Sequence, residues 1–226
     1  VLIERVWSLW AGLAQVPIEF PQPGGIRVVV SPESQLCPPG WVGIVQLAGA
    51  TLATVPEAGM VDRVRDALQQ GDPVAVLEPM ETLGPAWLSY LDRADFVPLS
   101  GQVERLPVEH PAVKELIAGV DQTDADEASL DAILSDAFVV RDAVEVVSGC
   151  GYQPWLDTAA HLSVLTAPHG RGKGHARVAA SAAAADALER GLVPQWRARV
   201  EASRRVARAL GFRELGTQLR LQLPAE

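Results

Sequence analysis

Apolar side chains recur along this chain with two different periods. Ile26–Val30 (IRVVV) is a β-branched run that predicts a strand, and Gly43–Val55 (GIVQLAGATLATV) predicts two short strands about an Ala-Gly-Ala turn. After Pro56 the spacing becomes helical through Val61, Val64 and Leu68, so Val61–Gln69 reads as a helix stopped by Gly71. Val74–Leu77 reads as a further strand, and Gly84-Pro85 as the opening of a helix over AWLSYL with proline in its first turn. The loop-rich stretch Pro98–His110 is the best internal boundary. It divides an N-terminal α/β region, 1–100, from a second domain, 101–226.

In the second domain, Pro111–Val120 reads as a short helix with Val113, Leu116, Ile117 and Val120 on one side. Thr123 and Asp126 resemble a capping box leading into a helix over Ala125–Leu134. Leu130, Ile133 and Leu134 would form its apolar face, with Asp124, Asp126, Glu127 and Asp131 opposite. Ala137–Arg141 and Val144–Tyr152 flank Asp142-Ala143 as an antiparallel hairpin, and Ala159–Thr166 is the next strand. A glycine-rich turn follows, then a helix from near Gly174 to about Arg190, stopped by Gly191. A short strand near Trp196, a basic helix ending at Gly211 and strands around Arg213–Leu223 complete the order.

Composition narrows the class. With 226 residues, 48% of them apolar and only 21% charged, the chain can fill one large core or two small ones, and disorder is excluded. The first twenty residues lack a basic leader and are broken by Glu4, Pro17 and Glu19. They suit neither a signal peptide nor a membrane span, and no apolar run elsewhere reaches membrane length. Cys37 and Cys150 lie far apart, as ordinary thiols of a reducing compartment do. The four histidines show no ligand spacing, so no metal is expected. A soluble, cytoplasmic protein is the expectation. The net charge of −9 argues against nucleic acid as a partner. From Ala167 on, however, eleven Lys/Arg face five Asp/Glu. That excess fits either an anionic ligand or a solvated basic helix face.

The segment richest in chemistry is Leu162–Gly191, where a strand ends at Thr166, Gly170, Gly172 and Gly174 form a turn, and a helix opens. Residues without Cβ let backbone approach a ligand, and the first N–H groups of a helix have no internal partner. The helix dipole adds positive potential at the same place, where Arg171, Lys173 and Arg177 cluster. The pattern is neither a Walker A loop nor G-x-G-x-x-G, since positions 175 and 177 are His and Arg. On these residues alone it is an anion cradle or a bare helix cap.

Arg171-Gly172-Lys173-Gly174-His175-Ala176 is similar to the Q/R-x-x-G-x-G/A signature of GNAT-superfamily N-acetyltransferases, and Val164-Leu165-Thr166-Ala167-Pro168 to the strand before it. Downstream, Ser203 to Phe212 resembles that family's second helix ending in Gly-Phe, with Gly216 after it. The clear resemblance spans about Ala159–Gly216. It implies a mixed α/β GNAT fold, a central twisted mixed sheet flanked by helices, with an additional N-terminal α/β region. It also implies acetyl-CoA as cosubstrate and an amine acceptor, small molecule or protein. The coenzyme would be held by Val164, Leu165 and Thr166 at the pantetheine, by Arg171, Gly172, Lys173, Gly174, His175 and Ala176 at the pyrophosphate, and by Ser203 near its far end, beside Arg204 and Arg208. The acidic helix face would border the acceptor pocket. The first hundred residues could cover the acceptor cleft, mediate a homodimer or be a decayed second copy of the same layout.

The departures are equally specific. Val200 stands where many members carry Asn, and Ala207 where many carry the Tyr that protonates the departing thiolate. His161, and more weakly Glu145, are candidate bases, but no residue is assigned to catalysis. A degenerate domain that binds acyl-CoA without turnover is the alternative to an active enzyme.

Overall fold

The computed structural model describes residues 1–224. Its elements run α1 (Leu2–Leu13), β1 (Ile26–Val30), β2 (Val42–Leu47), β3 (Ala50–Val55), α2 (Met60–Gln70), α3 (Pro73–Leu77), β4 (Glu81–Tyr90), β5 (Glu104–Leu106), α4 (Pro111–Ala118), α5 (Gln122–Ala128), β6 (Ala137–Asp142), β7 (Glu145–Trp155), β8 (Ala159–Thr166), α6 (His175–Glu189), β9 (Val193–Ala198), α7 (Glu201–Ala209) and β10 (Arg213–Gln222). They form two compact units, Val1–Leu88 with residues 214–224, and Ser89–Arg213. No helix of the described residues is long and apolar enough to cross a membrane.

In the first unit the strands lie in the order β1-β3-β2-β10-β4. β1 runs parallel to β3, while β2 is antiparallel to both β3 and β10. Val28, Ile44, Ala53, Val55 and Leu221 pack with Val64, Ala67 and Leu68 of α2 and Leu77 of α3 into its core. Gly71, in the left-handed region, ends α2 as its sequence position suggests.

The second unit carries the order β9-β8-β7-β6-β5. Its ladders are antiparallel except β8 with β9, which is parallel. Alternation along β8 sends Leu162 to one face and Leu165 to the other. On the first face α6 presents Ala179, Ala180, Ala183, Ala184 and Ala187, all with no exposed surface. Methyl groups let this helix lie close against the sheet. On the second face Val113 and Leu116 of α4 pack with Leu130, Ile133 and Leu165.

Three elements differ from the sequence expectation. Val74–Leu77 lies in a short helix, not a strand, because Asp72 accepts a hydrogen bond from the Ala75 N–H at 3.1 Å and Pro73 fits the first turn. Residues 84–90 extend as part of β4 instead of forming a helix, and Leu88 and Tyr90 are fully buried there. The helix expected over Ala125–Leu134 starts earlier and breaks at Ser129, whose φ of 48° cannot continue it. Its cap is Asp121, accepting from the Asp124 N–H at 2.9 Å, and not Thr123. Leu130 and Ile133 still reach the core through a 3₁₀ turn, whereas Leu134 is 75% exposed.

Candidate functional site

The parallel ladder between β8 and β9 is short. Ala159, Ala160 and His161 pair with Val193, Pro194 and Gln195, and the register ends there. Among the described residues, β8 from Leu162 to Thr166 therefore has an edge without a strand partner, while its other edge is fully paired to β7. The two strands form a fork whose closed end is the His161–Gln195 rung. Unpaired backbone polar groups on such an edge seek a partner outside the strand. Val164, Leu165 and Thr166 lie on this open arm. Ser148 Oγ anchors its end, 3.1 Å from the Leu165 carbonyl oxygen and 2.8 Å from Thr166 Oγ1.

Beyond the fork the chain turns through Pro168–Gly170 and enters α6 at Gly174, whose φ of 86° is open to glycine but strained for other residues. No side chain caps this helix. The Arg177 and Val178 N–H groups bond to the Gly174 carbonyl at 3.1 and 3.3 Å. Among the described residues, the N–H groups of Gly172, Lys173, Gly174, His175 and Ala176 make no hydrogen bond within the protein. Five successive unpaired donors at a helix N-terminus have the geometry that can receive an anion.

The cations around the cradle are partly engaged. Arg171 pairs with Asp124 of α5, and its Nε lies 3.4 Å from the Thr166 carbonyl. The Asp124 carboxyl is held below its usual range, chiefly by the hydrogen bond from Arg171. Lys173 approaches Asp142 at 3.5 Å, and among the described residues Arg177 has no ion-pair partner. At its other end α5 contributes Glu127 to an ion pair with Arg199, which follows β9. The acidic face seen in the sequence is thus not simply solvated, since α5 is tied to the chain beyond both arms of the fork.

At the closed end, His161 donates from Nδ1 to Gln195 Oε1 and stacks on Trp155 with ring centroids 4.3 Å apart. Burial, and then the charge of Arg197, hold the ring down to about 3, against a weaker upward pull from Gln195. His161 is therefore neutral at physiological pH and a poor proton acceptor. Gln195 was not singled out by sequence reasoning, although a lone amide in the apolar strand VPQWRA was the available signal.

Ser203 is engaged elsewhere, its Oγ accepting from the Trp196 indole N–H at 2.9 Å. Arg204 and Arg208 share Glu201. Ala207 is fully buried in the core with Trp196 and Phe212. Among the described residues no group of three or more His, Cys, Asp or Glu could hold a metal ion.

Residues 137–217, from β6 into β10, match the family model of the GNAT acetyltransferases. No curated protein matches the chain. Among solved structures it is similar to a GNAT-family acetyltransferase from Novosphingobium aromaticivorans (19% identity, 65% of this chain and 67% of that one, TM-score 0.51). It is also similar to a GCN5-related N-acetyltransferase from Kribbella flavida (18%, 70% and 66%, 0.51) and to a GNAT-family acetyltransferase from Colwellia psychrerythraea (11%, 75% and 75%, 0.52). The chain spans about two thirds of the length of the first two. At these identities the likeness concerns the fold, a mixed α/β sheet flanked by helices. Over the segment 137–217, with its forked strands and its turn into α6, the chain is similar to the GNAT acetyltransferases, and it shares their fold.

Proposed function

We propose that this chain takes an acetyl or short acyl group from acyl-CoA and passes it to the amine of a small-molecule or protein acceptor, in the cytoplasm. The observation that carries the reading is the run of five unpaired N–H groups from Gly172 to Ala176 beside the free edge of β8. A diphosphate fits the first, and the amide-bearing pantetheine arm fits the second. Val164, Leu165 and Thr166 would meet the arm, and Arg171, Lys173, His175 and Ala176 the diphosphate, once Asp124 yields Arg171. Ser203 belongs to this reading only as part of the wall around Trp196.

In the transfer, the neutral amine nitrogen attacks the thioester carbonyl carbon and the C–S bond breaks. CoA leaves as thiolate and takes up a proton, while the amine loses one to water. The chain's contribution is to hold the thioester at the fork and exclude competing geometries. Calorimetry with CoA and acetyl-CoA tests the first half, and thiol release across a panel of amines tests the second. Absence of binding at millimolar coenzyme would refute the reading.

A second reading is favoured by Ala207, Val200 and the depressed His161 ring, which leave the fork without an evident acid or base. In it the domain binds acyl-CoA as a sensor or scaffold. Tight binding with no thiol release on any acceptor would select it.

A further inference from the structure

The last rung of the fork carries a group that the fold leaves unsatisfied. Gln195 has no exposed surface, and its Oε1 is bound to His161 Nδ1, yet its Nε2 is buried with no hydrogen-bond partner among the described residues. Buried amide N–H groups are nearly always paired in native proteins, and an unpaired one calls for a water, an ion or a ligand. Its neighbours do not supply an acceptor. Trp155 offers a ring face to His161, and the charge that helps hold down that ring is the Arg197 cation, a donor and not an acceptor.

The position of the amide identifies what it would meet. From Thr166 back to His161 the open arm of β8 covers five residue steps, about 17 Å of extended strand. That is close to the reach of an extended pantetheine arm. A coenzyme held by its diphosphate at Gly172–Ala176 and laid along this edge therefore brings its thioester to the rung where Gln195 stands. We infer that the Gln195 side-chain amide donates a hydrogen bond to the carbonyl oxygen of the acyl thioester, fixing the acyl group at the head of the fork and marking acylated from free coenzyme. His161 holds the amide by its oxygen and so turns the nitrogen to the ligand. This deepens the function proposed above and rests on it.

The experiment compares three ligands by calorimetry: CoA, acetyl-CoA and S-ethyl-CoA, in which a methylene replaces the carbonyl. On the wild-type protein acetyl-CoA should bind about tenfold more tightly than S-ethyl-CoA, the worth of one buried hydrogen bond. In Gln195→Met, which keeps the length of the side chain and removes the donor, that ratio should fall to about one with CoA affinity within about twofold of wild type. Gln195→Glu, which keeps an oxygen for His161, should lose the preference as well, so the result does not depend on how well the first variant folds. A ratio of one in the wild-type protein would overturn the inference. A tenfold ratio that survives both substitutions would also overturn it, because the carbonyl would then be held elsewhere. If CoA itself did not bind the wild-type protein, the proposed function would fall and this inference with it.

Discussion

Placing a carboxylate at the mouth of α6 separates the anion cradle from an ordinary helix start. Gly174 adopts φ of 86°, and a Cβ built there meets only the Arg177 guanidinium at 3.6 Å, so space is not the obstacle. Gly174→Ala should cost only the left-handed backbone, about 1–2 kcal/mol of stability. Gly174→Asp should be no less stable than that, since aspartate tolerates this conformation better and is a favoured residue before a helix. Its effect on binding should be much larger. With about 5 Å between the new carboxylate and a diphosphate, and an effective dielectric of about 40, each charge pair opposes binding by about 1.7 kcal/mol. Two diphosphate charges give about 3 kcal/mol, or some two decades in affinity for CoA. Calorimetry at two salt concentrations, with thermal melts as control, reads both effects. If Gly174→Asp bound CoA as the wild type does, the five free N–H groups would not be the binding site and the proposed function would have no foundation.

Three further outcomes follow from contacts elsewhere in the same unit. Asp124→Asn frees Arg171 from its partner, so CoA affinity should rise about threefold at low salt and converge with wild type at high salt; a fall in affinity would mean that Asp124 supports the site. Gly211→Ala should lower stability by roughly 3 kcal/mol or more in denaturant unfolding, because its Cβ would stand 1.9 Å from the Asp95 carbonyl oxygen at φ of 93°; a loss below about 1 kcal/mol would contradict the packing. The His161 ring binds its proton less readily folded, at about 3, than unfolded, near 6.5, so its neutral burial is harmless above 6.5 and weakens the fold as pH falls toward 3. At pH 4.5 the loss should reach about 2–3 kcal/mol, and His161→Phe should remove that part of the pH slope; an unchanged slope in the variant would show that another group carries it.

The glycine turn and the elements on either side of it were legible because each depends on local chemistry. Strand β8 and helix α6 begin and end where β-branched residues, glycines and an alanine run require. Val74–Leu77 was misleading because two valines outweigh one capping aspartate when only composition is read, yet the Asp72 cap and Pro73 decide the backbone. Pro85 fits the first turn of a helix as well as a strand, and what decides for the strand is the burial of Leu88 and Tyr90 on the sheet. Long-range pairings left no trace in the sequence. Asp124 meets Arg171 across 47 residues, and Gln195 meets His161 across 34, so the acidic face and the buried amide acquire meaning only once the strands are placed.

The remaining tyrosines bear on how such a site could work. The chain has two, and neither is free to act as an acid at the fork. Tyr90 has no exposed surface, and the Tyr152 hydroxyl donates to Asp186, which also binds Arg105 at 3.2 Å and Arg190 at 2.9 Å. Burial, then Asp186, push the Tyr152 hydroxyl well above its ordinary range, so it keeps its proton. Cys150 is likewise buried and raised. With Ala207 offering only a methyl group and His161 too weak a base to deprotonate an ammonium, the transfer proposed above would need the amine to arrive neutral and the thiolate to leave as an anion that water protonates. A thiol with a pKa near 8.5 makes that departure feasible at neutral pH. Turnover of an aliphatic amine should then climb with pH toward the pKa of the amine itself, with no plateau in the histidine range. A bell centred near pH 7 would instead place an acid and a base at the fork that these residues do not supply.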